Sequence, residues 1–165
     1  MKSPYAGLRF VAVAAAFLMV AACSSTDATS SATPSSSTST VTPGTQQDLV
    51  TNVGDRVFFD TDQSSLKDEG KAVMQRQAAW MKLYPNLTFT IEGHADERGT
   101  REYNLALGGR RAAVVKDYLA SLGVDGSRLN TVSYGKERPV CLESNEDCWA
   151  QNRRAVTVVA EGAGS

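Results

Sequence analysis

The segment Gly93-His94-Ala95-Asp96-Glu97-Arg98-Gly99 concentrates an imidazole, two carboxylates and a guanidinium in one short stretch. Such groups could ligate a metal, drive hydrolysis or recognise a charged ligand, and each chemistry makes its own demand on the rest of the chain. A zinc site needs three or four nitrogen, sulfur or oxygen ligands. His94 is the sole histidine, and His-x-Asp-Glu has no convincing third or fourth partner. Nucleophilic catalysis needs a serine or cysteine activated by that histidine, and the sequence offers neither a Gly-x-Ser-x-Gly elbow nor a cysteine partner for it. A paired-carboxylate hydrolase would need Asp96 and Glu97 to point together, whereas adjacent side chains usually diverge. What remains is a polar recognition loop, with no catalytic residue, metal or cofactor implied.

A second anomaly lies just downstream. At 100° per residue, Asn104, Leu107, Arg111, Val115, Tyr118 and Leu122 fall within about an 80° arc, one stripe facing a core. Arg111 is the charged member of that stripe. A guanidinium there forms a structural salt bridge, sits in a cleft where an anionic ligand offsets its desolvation, or snorkels out along its methylenes. The helix pattern alone leaves all three open.

These residues need a scaffold that brings a strand end, a loop and a helix start together. Leu87, Phe89 and Ile91 alternate with Thr88, Thr90 and Glu92, the period-2 pattern of a half-buried strand leading into the loop. The spacing predicts a helix over 101–122, with Thr100 as N-cap, Glu102 at the positive end of the dipole and Gly123 as the stop. Upstream, Val57-Phe58-Phe59 reads as a short buried strand ending at Asp60. Val73, Met74, Trp80, Met81 and Tyr84 set a helix over 66–84 that Pro85 stops. Strands over 129–134 and 154–159 complete the pattern. Two helices and about four strands predict an α+β fold, a two-layer α/β sandwich whose mixed sheet carries both main helices on one face.

The N-terminal third has a different character. Lys2 and Arg9 precede an apolar run from Phe10 to Ala22, too short to span a bilayer but the right length for the core of a signal peptide, so residues 1–22 are expected to be cleaved. The run ends Val20-Ala21-Ala22-Cys23, which resembles the lipobox of bacterial lipoproteins and implies lipidation of Cys23. An ordinary secretory cleavage site with an incidental cysteine is the alternative. Ser24 in place of Asp implies, by the same resemblance, sorting to the outer membrane. Residues 23–47 are rich in Ser, Thr, Ala and Pro, with too little apolar surface to offset ordering entropy. As a flexible tether they have an r.m.s. span of about 25–30 Å. The domain proper is expected over 48–165. Removal of Lys2 and Arg9 with the leader leaves 15 basic against 18 acidic side chains, which argues against nucleic acid as a partner.

The run Ile91-Glu92-Gly93-His94-Ala95-Asp96-Glu97-Arg98-Gly99-Thr100-Arg101-Glu102-Tyr103-Asn104, continuing Leu107-Gly108-Gly109-Arg110-Arg111-Ala112, resembles the OmpA C-terminal-like family in its lipoprotein branch. Residues 132–139 and 151–156 match it too, so the resemblance spans residues 55–160 or so. It implies a non-enzymatic domain that binds meso-diaminopimelate in the stem peptide of peptidoglycan. It also implies a lipid-anchored place at the outer membrane facing the periplasm, and membership of the Tol-Pal system in cell division, with TolB as a partner. The family's ligand-binding aspartate and arginine fall on Asp96 and Arg111. The free D-centre of diaminopimelate is a zwitterion, so Asp96 would receive its ammonium and Arg111 would fork its carboxylate. Asn104, Leu107, Phe59, Asp60 and His94 are further candidates for the pocket. The competing reading makes Asp96 and Arg111 a mutual ion pair that only stabilises the fold. A wall anchor outside the Tol system and a lipid-anchored peptidoglycan hydrolase are the alternatives for function.

Cys141 and Cys148 depart from the family pattern. In an oxidising periplasm a pair closing so short a loop reads as a disulfide. Its distance in sequence from the recognition loop carries the expectation that it lies apart from the pocket in space.

Overall fold

The computed structural model describes residues 41–160. The leader (1–22), Cys23 and the tether as far as residue 40 lie outside the described residues. Among the described residues no helix is long and apolar enough to cross a membrane.

The chain enters through α1 (Gln46–Asp48), capped by Thr45, which runs into a π-helical turn (Leu49–Val53). Then follow β1 (Arg56–Phe58), α2 (Asp68–Leu83), β2 (Phe89–His94), α3 (Arg101–Ser121), a 3-10 turn (Gly126–Arg128), β3 (Leu129–Gly135), α4 (Glu146–Asn152) and β4 (Arg154–Val159). The sheet order is β1-β4-β2-β3. β2 and β3 are parallel, joined by α3 as the crossover, and β4 lies antiparallel between β1 and β2. The α+β sandwich expected from the pattern is the fold observed.

One buried cluster holds the layers together. Met74, Ala78 and Met81 of α2 and Ala112, Val115 and Leu119 of α3 meet Val57, Phe89, Ile91, Leu129 and Ala155 of the sheet. Burying each such large apolar side chain contributes about 1.5–3 kcal/mol. The helix ends follow local chemistry. Thr100 Oγ1 accepts the N–H of Tyr103 at 3.2 Å to open α3, and α2 ends at Leu83 because Tyr84, the residue before Pro85, is driven out of helical geometry.

Two glycines set how closely α3 approaches β2. A Cβ on Gly93 would lie 1.8 Å from the Gly108 carbonyl oxygen, so only a bare backbone at both positions lets helix and strand touch. That contact draws the Arg111 turn down onto the strand end from which the recognition loop departs.

Two helices escape the hydrophobic pattern. α1 begins inside the stretch read as tether, fixed by polar contacts. Gln46 Oε1 accepts from the Val159 N–H at 2.7 Å, and the buried Asp48 carboxylate accepts from Trp80 Nε1 at 2.9 Å. α4 is about two short polar turns, and its partners are distant in sequence.

Candidate functional site

Two loops and the start of α3 frame a depression of about 270 Å³. The β1–α2 connection supplies Thr61 and Asp62, the β2–α3 loop supplies Asp96, Arg98 and Gly99, and α3 supplies Tyr103, Asn104 and Leu107. Asn104 and Leu107, one turn apart, share a face. Asn104 Nδ2 donates to the Arg98 carbonyl at 2.7 Å and so ties the loop to the helix. Across the depression the Tyr103 hydroxyl donates to the Asp62 carboxylate.

Asp96 is buried and heavily contacted. Its carboxylate accepts from Arg98 Nε at 3.1 Å, Arg98 Nη2 at 2.6 Å and the Arg98 backbone N–H at 3.1 Å. Arg153 Nη1 stands 3.5 Å away. Burial opposes its ionisation, but the Arg98 contacts and Arg153 outweigh it and hold the carboxyl below the usual carboxylate value.

Arg111 has no exposed surface, which removes the snorkelling alternative. No carboxylate among the described residues is close enough to pair with it, so the salt-bridge alternative and the Asp96–Arg111 ion pair are also corrected. The guanidinium is caged by backbone carbonyls instead. Nε donates to Gln63 at 2.8 Å, Nη1 to His94 at 2.8 Å and Nη2 to Asp60 at 3.1 Å. The Phe59 ring lies 5.1 Å from Cζ, a cation–π distance. Burial pulls its pKa down to about 10, against the opposing pull of Asp96 and Asp62, so the group remains charged at neutral pH. Arg111 thus stitches the β1–α2 and β2–α3 loops together from behind the depression.

The other expected residues divide the same way. Asp96, Asn104 and Leu107 line the depression; Phe59, Asp60 and His94 do not. Phe59 packs in the core. The Asp60 carboxylate pairs with Lys67 at 2.5 Å, leaving only its carbonyl to Arg111. The His94 imidazole turns away and lies beside the Tyr134 ring, with centroids 5.6 Å apart. Strand alternation dictates this, since Ile91 and Gly93 face the helices and His94 faces the opposite side.

Sequence reasoning missed Thr61, Asp62, Tyr103, Trp149 and Arg153, and assigned no role to Arg98 or Gly99. Asp62 carried a faint signal: it follows a strand end and adopts φ 60°, a conformation Asp tolerates in turns. Cys141 and Cys148 are disulfide-bonded, but the expectation that this loop lies apart from the pocket is wrong. Trp149, next to Cys148, donates from Nε1 to Glu97 Oε1 at 2.9 Å, and Arg98 Cζ sits 4.1 Å from its ring centroid. Nothing in local sequence announces a contact spanning some fifty residues.

Chemically, the depression presents two carboxylates, Asp62 and Asp96, beside the Arg98 guanidinium and above buried Arg111. That mixture suits a ligand carrying both signs of charge. Residues 58–154 match the model of the OmpA family. The chain therefore belongs to the OmpA family, whose domains are structural and not enzymatic. It is similar to several proteins named peptidoglycan-associated lipoprotein. It is 63% identical over 124 residues to the peptidoglycan-associated lipoprotein of Rhizobium meliloti, covering 75% of this chain and 70% of that protein. It is 51% identical over 152 residues to that of Mesorhizobium japonicum, covering 91% and 90%. The crystal structure of the peptidoglycan-associated lipoprotein from Burkholderia pseudomallei superposes with TM-score 0.63 at 46% identity, over 64% of this chain and 90% of that one. The C-terminal domain of Helicobacter pylori MotB, at TM-score 0.60 and 19% identity over 64% and 84%, shares the fold.

Proposed function

We propose that this protein is an outer-membrane lipoprotein that holds peptidoglycan non-covalently through meso-diaminopimelate of the stem peptide. The observation that carries the reading is the depression where Asp96 meets two guanidinium groups, on a chain whose relatives are named for peptidoglycan. Asp96 exchanges part of its contact with Arg98 for the ligand ammonium. Arg98 and Arg111 supply the positive field for the ligand carboxylate. Three carbonyls occupy one N–H on each Arg111 nitrogen and the side chain is fully buried behind the depression, so Arg111 acts on the ligand carboxylate through its charge and not by a direct fork. Asp62 and Tyr103, joined by a hydrogen bond, complete the lining. Anchored through lipidated Cys23, the domain links outer membrane to wall within the Tol-Pal system during cell division, with TolB as its periplasmic partner.

Sedimentation with purified sacculi tests this. The full chain should pellet with meso-diaminopimelate sacculi and far less with sacculi whose stem peptides carry lysine, which lacks the distinguishing carboxylate. Asp96→Ala should weaken binding by more than about thirtyfold, the scale for truncating one partner of a desolvated charge pair. Arg111→Ala should weaken it comparably, but the change also strips three carbonyls of their donor. Circular dichroism and urea unfolding must therefore accompany that variant. A folded Asp96→Ala chain that pellets like the native one would overturn the site, and release of soluble wall fragments would indicate a hydrolase.

A further inference from the structure

Helix α4 has seven residues, well short of the dozen or so that hold a helix unaided. Asn145 Oδ1 caps it, accepting the Cys148 N–H at 2.9 Å. Buried Asn152 accepts from the backbone N–H of Val140 and Cys141 and donates to the Cys141 carbonyl. Apolar packing gives the preceding loop little help, since Val140 and Leu142 are 53% and 81% exposed. The Cys141–Cys148 disulfide closes that loop, and Cys148 is its one buried apolar side chain.

α4 in turn supports the depression at two points. Trp149 holds Glu97 by a hydrogen bond and underlies the Arg98 guanidinium. Arg153, at the helix end, donates to Glu146 on its first turn at 2.6 Å and to the Phe59 carbonyl at 3.1 Å, and reaches Asp96 at 3.5 Å. The support for Asp96 and Arg98 is therefore anchored outside the recognition loop, on a helix whose N-terminal half is tied to the preceding loop by a covalent bond.

We propose that the Cys141–Cys148 disulfide is a redox latch on the depression. Closed, it keeps Trp149 as a positioning residue beneath Arg98, which orients the Asp96 carboxylate; open, it frees α4 and weakens ligand capture. The effect on wall binding rests on the function proposed above. The opening step needs a dithiol reductant. One of its thiolates attacks Sγ of half-buried Cys141, forming a mixed disulfide and expelling the Cys148 thiolate, which takes up a proton. The second thiol of the reductant then displaces Cys141 as a thiol and leaves with the reductant as its own disulfide. Two electrons and two protons pass to the protein.

The test compares the full chain, purified in detergent, before and after dithiothreitol treatment, with alkylation and peptide mass reporting thiols at positions 141 and 148. Acrylamide quenching reads Trp149, since Trp80 is buried, and a Trp149→Ala chain identifies the signal. Reduction should raise quenching and weaken sacculus binding about fivefold, the scale of losing a cation–π contact and one supporting hydrogen bond. Cys141→Ser/Cys148→Ser should behave as the reduced chain with or without dithiol. Oxidised Trp149→Ala should bind as the reduced native chain and respond no further to reduction, while Trp149→Phe, which keeps a ring under Arg98, should recover much of the affinity. Where the oxidised chain binds sacculi, the latch requires both changes, and either alone overturns it. A global loss of circular dichroism on reduction also overturns it, because the release is local. If the oxidised chain does not bind sacculi, the wall-binding reading fails by itself and quenching decides the latch: a rise supports it and no change overturns it.

Discussion

His94 is the residue whose environment most constrains behaviour in solution. Its imidazole is 2% exposed, neither ring nitrogen has a hydrogen-bond partner, and burial, reinforced by Arg154 and Arg138, pushes its pKa down to about 4 from an ordinary 6.5. The fold therefore keeps it neutral. Below pH 6.5 the unfolded chain takes a proton that the folded chain refuses until about pH 4, so stability should fall as pH drops through that window, by roughly 1 kcal/mol per pH unit. Asp96, whose value is depressed, contributes stability that is lost only as pH falls below its ordinary 3.8, so the two effects are separable. His94→Leu should flatten the slope between pH 6.5 and 4. With no hydrogen bond to lose, it should keep pH 7 stability within about 1 kcal/mol. Urea midpoints across that pH series check both, and an unchanged slope in the variant would assign the acid sensitivity elsewhere. Arg111 is the opposite case, a buried group whose charge is retained because three carbonyls solvate it.

At the scale of elements, the contact between β2 and α3 places the site. Gly93 and Gly108 meet backbone to backbone, and a methyl at Gly93 has only the Gly108 carbonyl to occupy. Backbone cannot yield as a flexible side chain can, so Gly93→Ala should destabilise the domain by about 3 kcal/mol, at the upper end of overpacking costs. The urea midpoint should drop with little change in the denaturant slope. A loss below about 1 kcal/mol would mean that helix and strand can separate cheaply. In that case the Arg111 cage, which relies on the same approach, would be less rigid than described. α4 shows the reverse economy: a short helix with little apolar burial, kept in place by asparagine contacts and a disulfide, yet touching the loop that carries Asp96.

For the whole molecule, the domain is one part of an arrangement in which acyl chains on Cys23 would fix the membrane end and the depression would fix the wall end. Each buried methylene contributes about 0.8 kcal/mol, so two or three chains make release negligible. Cys23→Ser should leave a folded domain that no longer partitions with membranes yet still pellets with sacculi. Membrane fractionation and labelled palmitate check this, and label incorporated into the variant would contradict the assignment. The sequence by itself determined the two-layer fold, because helix and strand periodicities record which face of each element is buried. It also marked the misplaced charge at Arg111, since an ionised group on an apolar stripe stands out without coordinates, whereas Asp96 was pointed to only by the family resemblance. Only the tertiary structure decided that Arg111 is caged by the carbonyls of Asp60, Gln63 and His94, that Asp62 and Tyr103 line the same depression as Asp96, and that Trp149 lies under Arg98. Those relations join residues up to about fifty positions apart through single polar contacts, which leave no periodic trace in a chain. Apolar burial is written along a sequence as a repeating pattern, whereas a directional contact between two distant groups exists only once the backbone has brought them together.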